Sequence, residues 1–331
     1  MKLNQTIGMV VPVAIAGGAA VLFAIPQARQ LFTGAMQSGG QAVAEAQMDE
    51  DDKEGEQLDG YIFCMNNVNH HVRDSMRRYA EWVEDMDKGP TGEEKNVYGL
   101  YKVDDSIMKL CKEKLETSAR LATNEQLKSL AGPYTQALDS FVPKLNEVAY
   151  YYEQEKYKDD KFAQGKKLHG PLVAEYKKFI ENAKKLESAV DKVGDERSAK
   201  LLVKIEKEEG KSLAYWQRKI MIDSKAIIKM ADNEKVDVAK LGKKLDELEG
   251  SIKELAKRPA SEQPPMWTFF KDEPEDFLKA GRAYWRRLRD KKEFTESEID
   301  RINMGAGQSV DGSYDQFLKA YNDMVDGSNK L

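Results

Sequence analysis

The stretch that decides the fold is Leu58–Met86, LDGYIFCMNNVNHHVRDSMRRYAEWVEDM. Leu58, Ile62, Met65, Asn69, Val72, Met76, Tyr79, Val83 and Met86 recur at alternating intervals of four and three, which places them on one stripe of a long helix. Asn69 alone interrupts the apolar seam. One polar residue in such a seam sets register at some cost in stability, a reading preferred here to a ligand contact. Gly and Pro in Lys88-Gly89-Pro90 both oppose continuation, so the helix is expected to end before them.

The same spacing returns down the chain. Leu127, Ala131, Tyr134, Leu138, Phe141, Leu145, Val148 and Tyr152 form a second stripe, and Leu172, Tyr176, Phe179, Ala183, Leu186, Val190 and Val193 a third. Further stripes are Val238, Leu241, Leu245, Leu248, Ile252 and Leu255, then Phe277, Gly281, Tyr284 and Leu288, then Tyr314, Phe317, Tyr321 and Met324. Each needs a partner helix to cover it, and most connections are short. The expected fold is therefore all-α, an extended antiparallel helical bundle. Strand-like alternation is scarce, and 33% of the 331 residues are charged against 41% apolar, a composition that favours helices.

Irregular places mark expected bends. Gly132-Pro133 reads as the cap and first residue of a new helix, and Pro143 as a kink. Gly194 is expected to separate two long helices. Glu206–Lys211 reads as a polar belt within a helix running to about Met230. Arg258–Pro274 holds four prolines, and its Trp267, Phe269 and Phe270 are expected to tuck it onto the bundle. A short helix is expected from near Asp104. Thr295 with Glu298 and Ser313 with Gln316 have the spacing of helix-starting caps.

Upstream lies Ile7–Ile25, IGMVVPVAIAGGAAVLFAI, uncharged and long enough as a helix to span a bilayer's hydrocarbon core. Two readings stand: a retained anchor, or a cleaved signal. Small-residue cleavage patterns lie only far downstream, which favours retention. The expected organisation is a membrane anchor or signal segment over 1–33, a flexible acidic tether over 34–56, and a helical bundle domain over 57–331. The membrane is the partner implied for the anchor, with the C-terminal domain outside the cytoplasm. A net charge of −5 supplies no basic footprint, so no nucleic-acid partner is implied.

Catalytic signatures such as G-x-x-x-x-G-K-[ST], G-x-S-x-G, H-E-x-x-H and C-x-x-C are missing from the sequence, and no enzyme or cofactor is expected. None of the three histidines has Glu three residues before it, as a di-iron bundle requires. His70 and Asp74 sit one turn apart and, with His169, are weak metal candidates, short of the three or four ligands coordination needs. Cys64 and Cys111 are an even pair in an exported-looking domain and disulfide candidates; two buried free thiols are the alternative.

Tyr150–Pro171, YYYEQEKYKDDKFAQGKKLHGP, is the most distinctive segment. Tyr151, Tyr152, Tyr157, Lys161 and His169 make a candidate binding surface for a glycan or peptide, because tyrosine gives contact area at low entropic cost. The competing and preferred reading is a helix corner whose tyrosines pack while its charges stay wet.

The overlapping YYEQEKYKDDKFAQGKKLHGPLV (Tyr151–Val173), with YIFCMNN (Tyr61–Asn67), RYAEWV (Arg78–Val83), KGPTGEEKNVYGLY (Lys88–Tyr101), RRLRDKK (Arg286–Lys292) and YNDMVDGSN (Tyr321–Asn329), resembles the YiiG-like family of predicted bacterial lipoproteins. The resemblance runs from about Leu58 to the end. It implies a helical domain in the bacterial envelope and transfers no catalytic residue. A lipoprotein carries a lipobox Cys just after its apolar segment, and none stands here, so the retained helix takes the place of a lipid. Three functional readings follow in order: an inner-membrane-anchored periplasmic domain, or one released to the periplasm after cleavage, that binds or scaffolds an envelope protein; a receptor for a small ligand or metal near His70, Asp74 and His169; an enzyme on envelope polymers.

Overall fold

The computed structural model describes residues 50–233 and 235–331. Ile7–Ile25 and the tether as far as residue 49 lie outside the described residues. Among the described residues every regular element is helical. No helix there is long and apolar enough to cross a membrane. The described chain divides into two compact units, residues 50–193 and residues 194–331, so a boundary falls inside the stretch 57–331 read above as one domain.

In the first unit, α1 (Glu50–Cys64) passes through a π-turn (Met65–Asn69) into α2 (His70–Trp82). The helix begins earlier than expected and takes in part of the acidic run assigned to the tether. Contacts with α3 (Asp105–Leu121) account for this. Ser118 Oγ donates to the Glu56 carbonyl at 3.1 Å and accepts from the Gly60 N–H at 2.8 Å, while Gln57 Oε1 accepts from the Thr123 N–H at 2.9 Å. Gly60 is required there: a Cβ would stand 2.1 Å from the Lys114 carbonyl oxygen. Asp104 starts α3 by accepting from the Ser106 N–H at 2.7 Å. Cys64 and Cys111 are bonded, closing a separation of 47 residues between α1 and α3.

α2 ends at Trp82, short of Met86, where the apolar stripe ran out. Val83 turns extended, and both Val83 and Met86 stay buried on a loop. The loop replaces helical bonds with others: Asp85 accepts from Lys88 and Gly89 N–H groups, and the Met86 carbonyl accepts from His169 Nε2 at 2.9 Å.

α4 (Glu125–Glu153) starts on the Asn124 cap and contains both Pro133 and Pro143. Pro133 therefore does not begin a helix. Both prolines lie on the exposed face, where water can satisfy the carbonyls they release, while Tyr134, Leu138, Phe141 and Leu145 continue the buried stripe. α5 (Lys156–Asp160) makes the corner, with left-handed backbone at Glu155, Lys161 and Phe162. α6 (Ala163–Glu209) follows, and its Phe179 stacks on Phe141 of α4 with centroids 5.6 Å apart.

Gly194 lies inside α6 and breaks no helix, although the boundary between the two units falls there. The expected helix to Met230 is instead two. α6 stops at Glu209, Gly210 takes a left-handed φ of 69°, and Ser212 caps α7 (Leu213–Ala231). The second unit packs α7, α8 (Val238–Ala256), α9 (Glu273–Arg289) and α11 (Tyr314–Ser328) around Leu245, Leu248, Phe277, Phe317 and Tyr321. Gly281 lets α9 approach closely, since a Cβ would meet Leu245 and Phe317 at 2.8 Å. α10 (Glu296–Asn303) begins on a complete Thr295–Glu298 capping box, and Ser313 caps α11. Of the three aromatics on the irregular segment, Trp267 and Phe270 are buried and Phe269 is exposed.

Candidate functional site

The π-turn sets the first polar centre. Its extra residue shifts the helix phase, so Val68 and Asn69 are both buried. Tyr134 donates to Asn69 Oδ1 at 2.6 Å, and Asn69 Nδ2 donates to Glu187 Oε1 at 2.8 Å. The buried Arg73 donates to both Glu187 oxygens at 2.8 Å. Burial, reinforced by Glu187, raises the Tyr134 hydroxyl far above its ordinary range, so it keeps the proton it donates to Asn69. Asn69, Tyr134, Glu187 and the Arg73 Nη2 are matched donor to acceptor, which makes this a specifier of packing, although the buried Arg73 Nε has no partner of its own among the described residues.

The second centre is the helix corner. Tyr151, Tyr152 and His169 are buried, so three of the five residues named as a candidate binding surface lie inside the fold. Packing explains it: Tyr152 meets Trp82 at 4.8 Å and Tyr151 at 4.8 Å, and Tyr79 meets Trp82 at 5.0 Å, all edge to face. Tyr157 is half-buried against Phe162, with centroids 5.0 Å apart, and Lys161 is exposed. Tyr151 donates to Asp160 at 2.7 Å. Burial pushes the Tyr151 hydroxyl up to about 12, with Asp160 adding to the effect.

His169 is held at both ring nitrogens. The Met86 carbonyl can only accept, so Nε2 carries the proton, and Nδ1 accepts from the Tyr79 hydroxyl at 2.9 Å. Burial lowers the His169 pKa, more than the Met86 hydrogen bond and the charges of Asp85 and Asp87 raise it. Nε2 carries the proton and the Nδ1 lone pair is taken by Tyr79, so the ring has none left for a metal. His70 and Asp74 pair with each other at 3.2 Å on the exposed face of α2, and the fold does not bring His169 to them. Among the described residues no group of three or more metal-ligating side chains assembles.

Over the corner lies the loop of residues 83–104, which sequence reasoning did not single out as a site. Its final turn is pinned by side chains that bracket the backbone. Ser75 Oγ accepts from the Tyr101 N–H at 3.0 Å and donates to its carbonyl at 2.8 Å. Asn146 accepts from the Val103 N–H and donates to its carbonyl, each at 2.9 Å. Trp82 Nε1 donates to the Gly99 carbonyl at 3.3 Å. Gly99 has a φ of 67° and lies against Tyr152, a position that suits glycine on both counts. Glu94 closes the upstream turn by accepting from Thr91 and Gly92 N–H groups; burial opposes its charge, yet these bonds hold its carboxyl below the usual range.

This pinning leaves three rings outside. Tyr98 is 49%, Tyr101 44% and Tyr150 48% exposed. Cations join them into one patch. Arg78 lies 4.7 Å from the Tyr101 centroid and 5.9 Å from that of Tyr98, and it donates to the Tyr98 carbonyl at 2.8 Å and to the Tyr101 hydroxyl at 2.9 Å. His71 faces Tyr101 at 6.1 Å and contacts the Lys102 carbonyl at 2.7 Å. Lys102 and Lys156 approach the Tyr150 ring at 5.1 and 4.6 Å. The available signal was Lys88–Tyr101 itself, with three glycines and two tyrosines between helices.

The second unit carries an open groove of about 300 Å³ between α9 and α11, where Asp276, Asp311 and Asp323 alternate with Lys279, Arg286 and Lys319. Lys319 and Asp323 pair with each other, so the groove mixes opposite charges.

An all-helical domain with a pinned aromatic surface defines a class by architecture. The chain belongs to a protein family of unknown function (DUF3829), whose model matches residues 52–330. It is 32% identical over 278 residues to the uncharacterized protein YiiG of Escherichia coli (strain K12), covering 83% of this chain and 78% of that protein. No solved structure matches.

Proposed function

We propose that this protein is a binding or scaffolding module of the bacterial envelope, tethered to the inner membrane by Ile7–Ile25 and engaging its partner from the periplasm through the surface around Tyr98, Tyr101 and Tyr150. The observation that carries the reading is the double bracketing of the Tyr101 and Val103 backbone by the buried Ser75 and the half-buried Asn146, which fixes the turn that presents the solvent-facing Tyr101 ring. Such preorganisation lowers the entropy lost on binding. Tyrosine and arginine together are also the side chains that dominate binding energy at recognition surfaces. The uncharged Ile7–Ile25 supports tethering.

The test combines fractionation with cross-linking of the full chain at native expression. The expected result is recovery with membranes and a cross-linked species lost when Tyr98→Ser, Tyr101→Ser and Tyr150→Ser are combined. Recovery of the intact chain from cytosol, or cross-links indifferent to the triple substitution, would overturn it.

A further inference from the structure

The aromatic patch also has a chemical character of its own. We infer that it takes an acidic saccharide, with sugar rings lying on Tyr98, Tyr101 and Tyr150 and carboxylate or phosphate groups meeting Arg78 and Lys156; this rests on the binding reading above. Four observations carry it. First, the exposed large apolar residues of the patch are all tyrosines, whereas the exposed aliphatic ones, such as Leu110, Val203, Ile299 and Met304, lie elsewhere. Each tyrosine offers a flat apolar face with a polar tip, and ring faces flanked by hydrogen-bonding groups suit a sugar, whose own faces are apolar and whose rim carries hydroxyls.

Second, the positive charge is uncompensated. Arg78 bonds a carbonyl and a hydroxyl and Lys156 stands over a ring, with no carboxylate paired to either among the described residues. Lys102, by contrast, is paired with Glu153. The neighbouring acids Asp74 and Glu81 are engaged by Arg77, and Glu155 by Lys158. Complementary charge therefore calls for an anionic ligand.

Third, the Arg78 guanidinium keeps its donors near two ring faces, so one ligand can be stacked and hydrogen-bonded at once. Fourth, Tyr98 and Tyr101 are three residues apart, at most about 11 Å along the chain, a span suited to consecutive sugar rings.

The experiment titrates the full chain in detergent micelles with tetragalacturonate, its fully methyl-esterified counterpart and a single-stranded oligothymidylate of matched length, by calorimetry. Tetragalacturonate should bind, the neutral ester about tenfold more weakly, and Tyr101→Ser should weaken binding about tenfold. Lys156→Gln should weaken tetragalacturonate about threefold and leave the ester unchanged. These side chains are exposed, so unchanged circular dichroism shows that the fold survives; Met304→Ser, outside the patch, should bind as the parent does. The inference is overturned if tetragalacturonate does not bind, if Tyr101→Ser binds it undiminished, if the ester binds equally well, or if the oligothymidylate binds more tightly. Should saccharide binding fail while the triple-serine variant still loses its cross-linked species, the ligand class is wrong and the binding reading stands.

Discussion

Glu187→Gln is the sharpest probe of the first unit. The carboxylate receives Asn69 and both donations from Arg73 at 2.8 Å. Glutamine offers one oxygen and points an N–H₂ at a donor, so Arg73, 6% exposed, keeps its charge without a counter-ion. Removing one partner of a buried pair costs roughly 3–5 kcal/mol, and the 21% exposure of Glu187 admits some water, which argues for the lower end. About 3 kcal/mol corresponds to roughly a hundredfold loss of amide protection in α2. Hydrogen exchange read by mass spectrometry suits a chain of two units because it reports locally and needs no two-state assumption. The converse substitution, Arg73→Met, leaves a carboxylate that Asn69 and water can still satisfy, so it should cost only about 1–2 kcal/mol. Loss of protection below fivefold in Glu187→Gln, or a larger effect from Arg73→Met, refutes this account of the pair.

Three other outcomes are expected. Gly60→Ala gains about 1 kcal/mol of helix propensity but drives a methyl into the Lys114 carbonyl, so the net should be a loss of about 2 kcal/mol, read as a lowered melting temperature. Burial holds the native His169 pKa below 6.5, so the stability from its neutral form is complete above that value and is lost as pH falls through the depressed native pKa, where the unfolded chain holds the proton; acid titration of unfolding should show this slope in the parent and not in His169→Asn. Reducing the Cys64–Cys111 bond releases a constraint across 47 residues, worth about 4 kcal/mol in the chain-entropy model, and should lower the melting temperature of the reduced, alkylated protein.

Helix content was plain in the sequence because apolar spacing alone reports it, and the stripes beginning at Leu127, Val238 and Tyr314 coincide with observed helices. Caps at Thr295 and Ser313 were readable for the same local reason. Where local propensity met tertiary packing it failed. Pro133 and Gly194 look like stops, yet exposure of the one and the continuity of α6 around the other let the helices run on. Gly210 and Ser212 together spelled a reversal that the surrounding charges obscured.

The competing surface reading fell on buried residues for a similar reason, and the preferred reading of a packed helix corner agrees with their burial. Tyr151, Tyr152 and His169 are conspicuous in sequence because they cluster, but clustering of aromatics is what a core also needs. The exposed rings Tyr98 and Tyr101 lie on a loop held by Ser75, Arg78 and Asn146, the last of which bonds Val103 across a separation of 43 residues. Nothing in local spacing announces such brackets.

The π-turn between Cys64 and His70 makes chain length there as consequential as residue identity. Excising Asn66 would restore an ordinary ladder and rotate everything upstream by about 100° relative to α2. Cys64 would then swing off Cys111 while Asn69 stayed in place. In a relative one residue shorter at this point, the cysteine pair and the buried asparagine should not occur together.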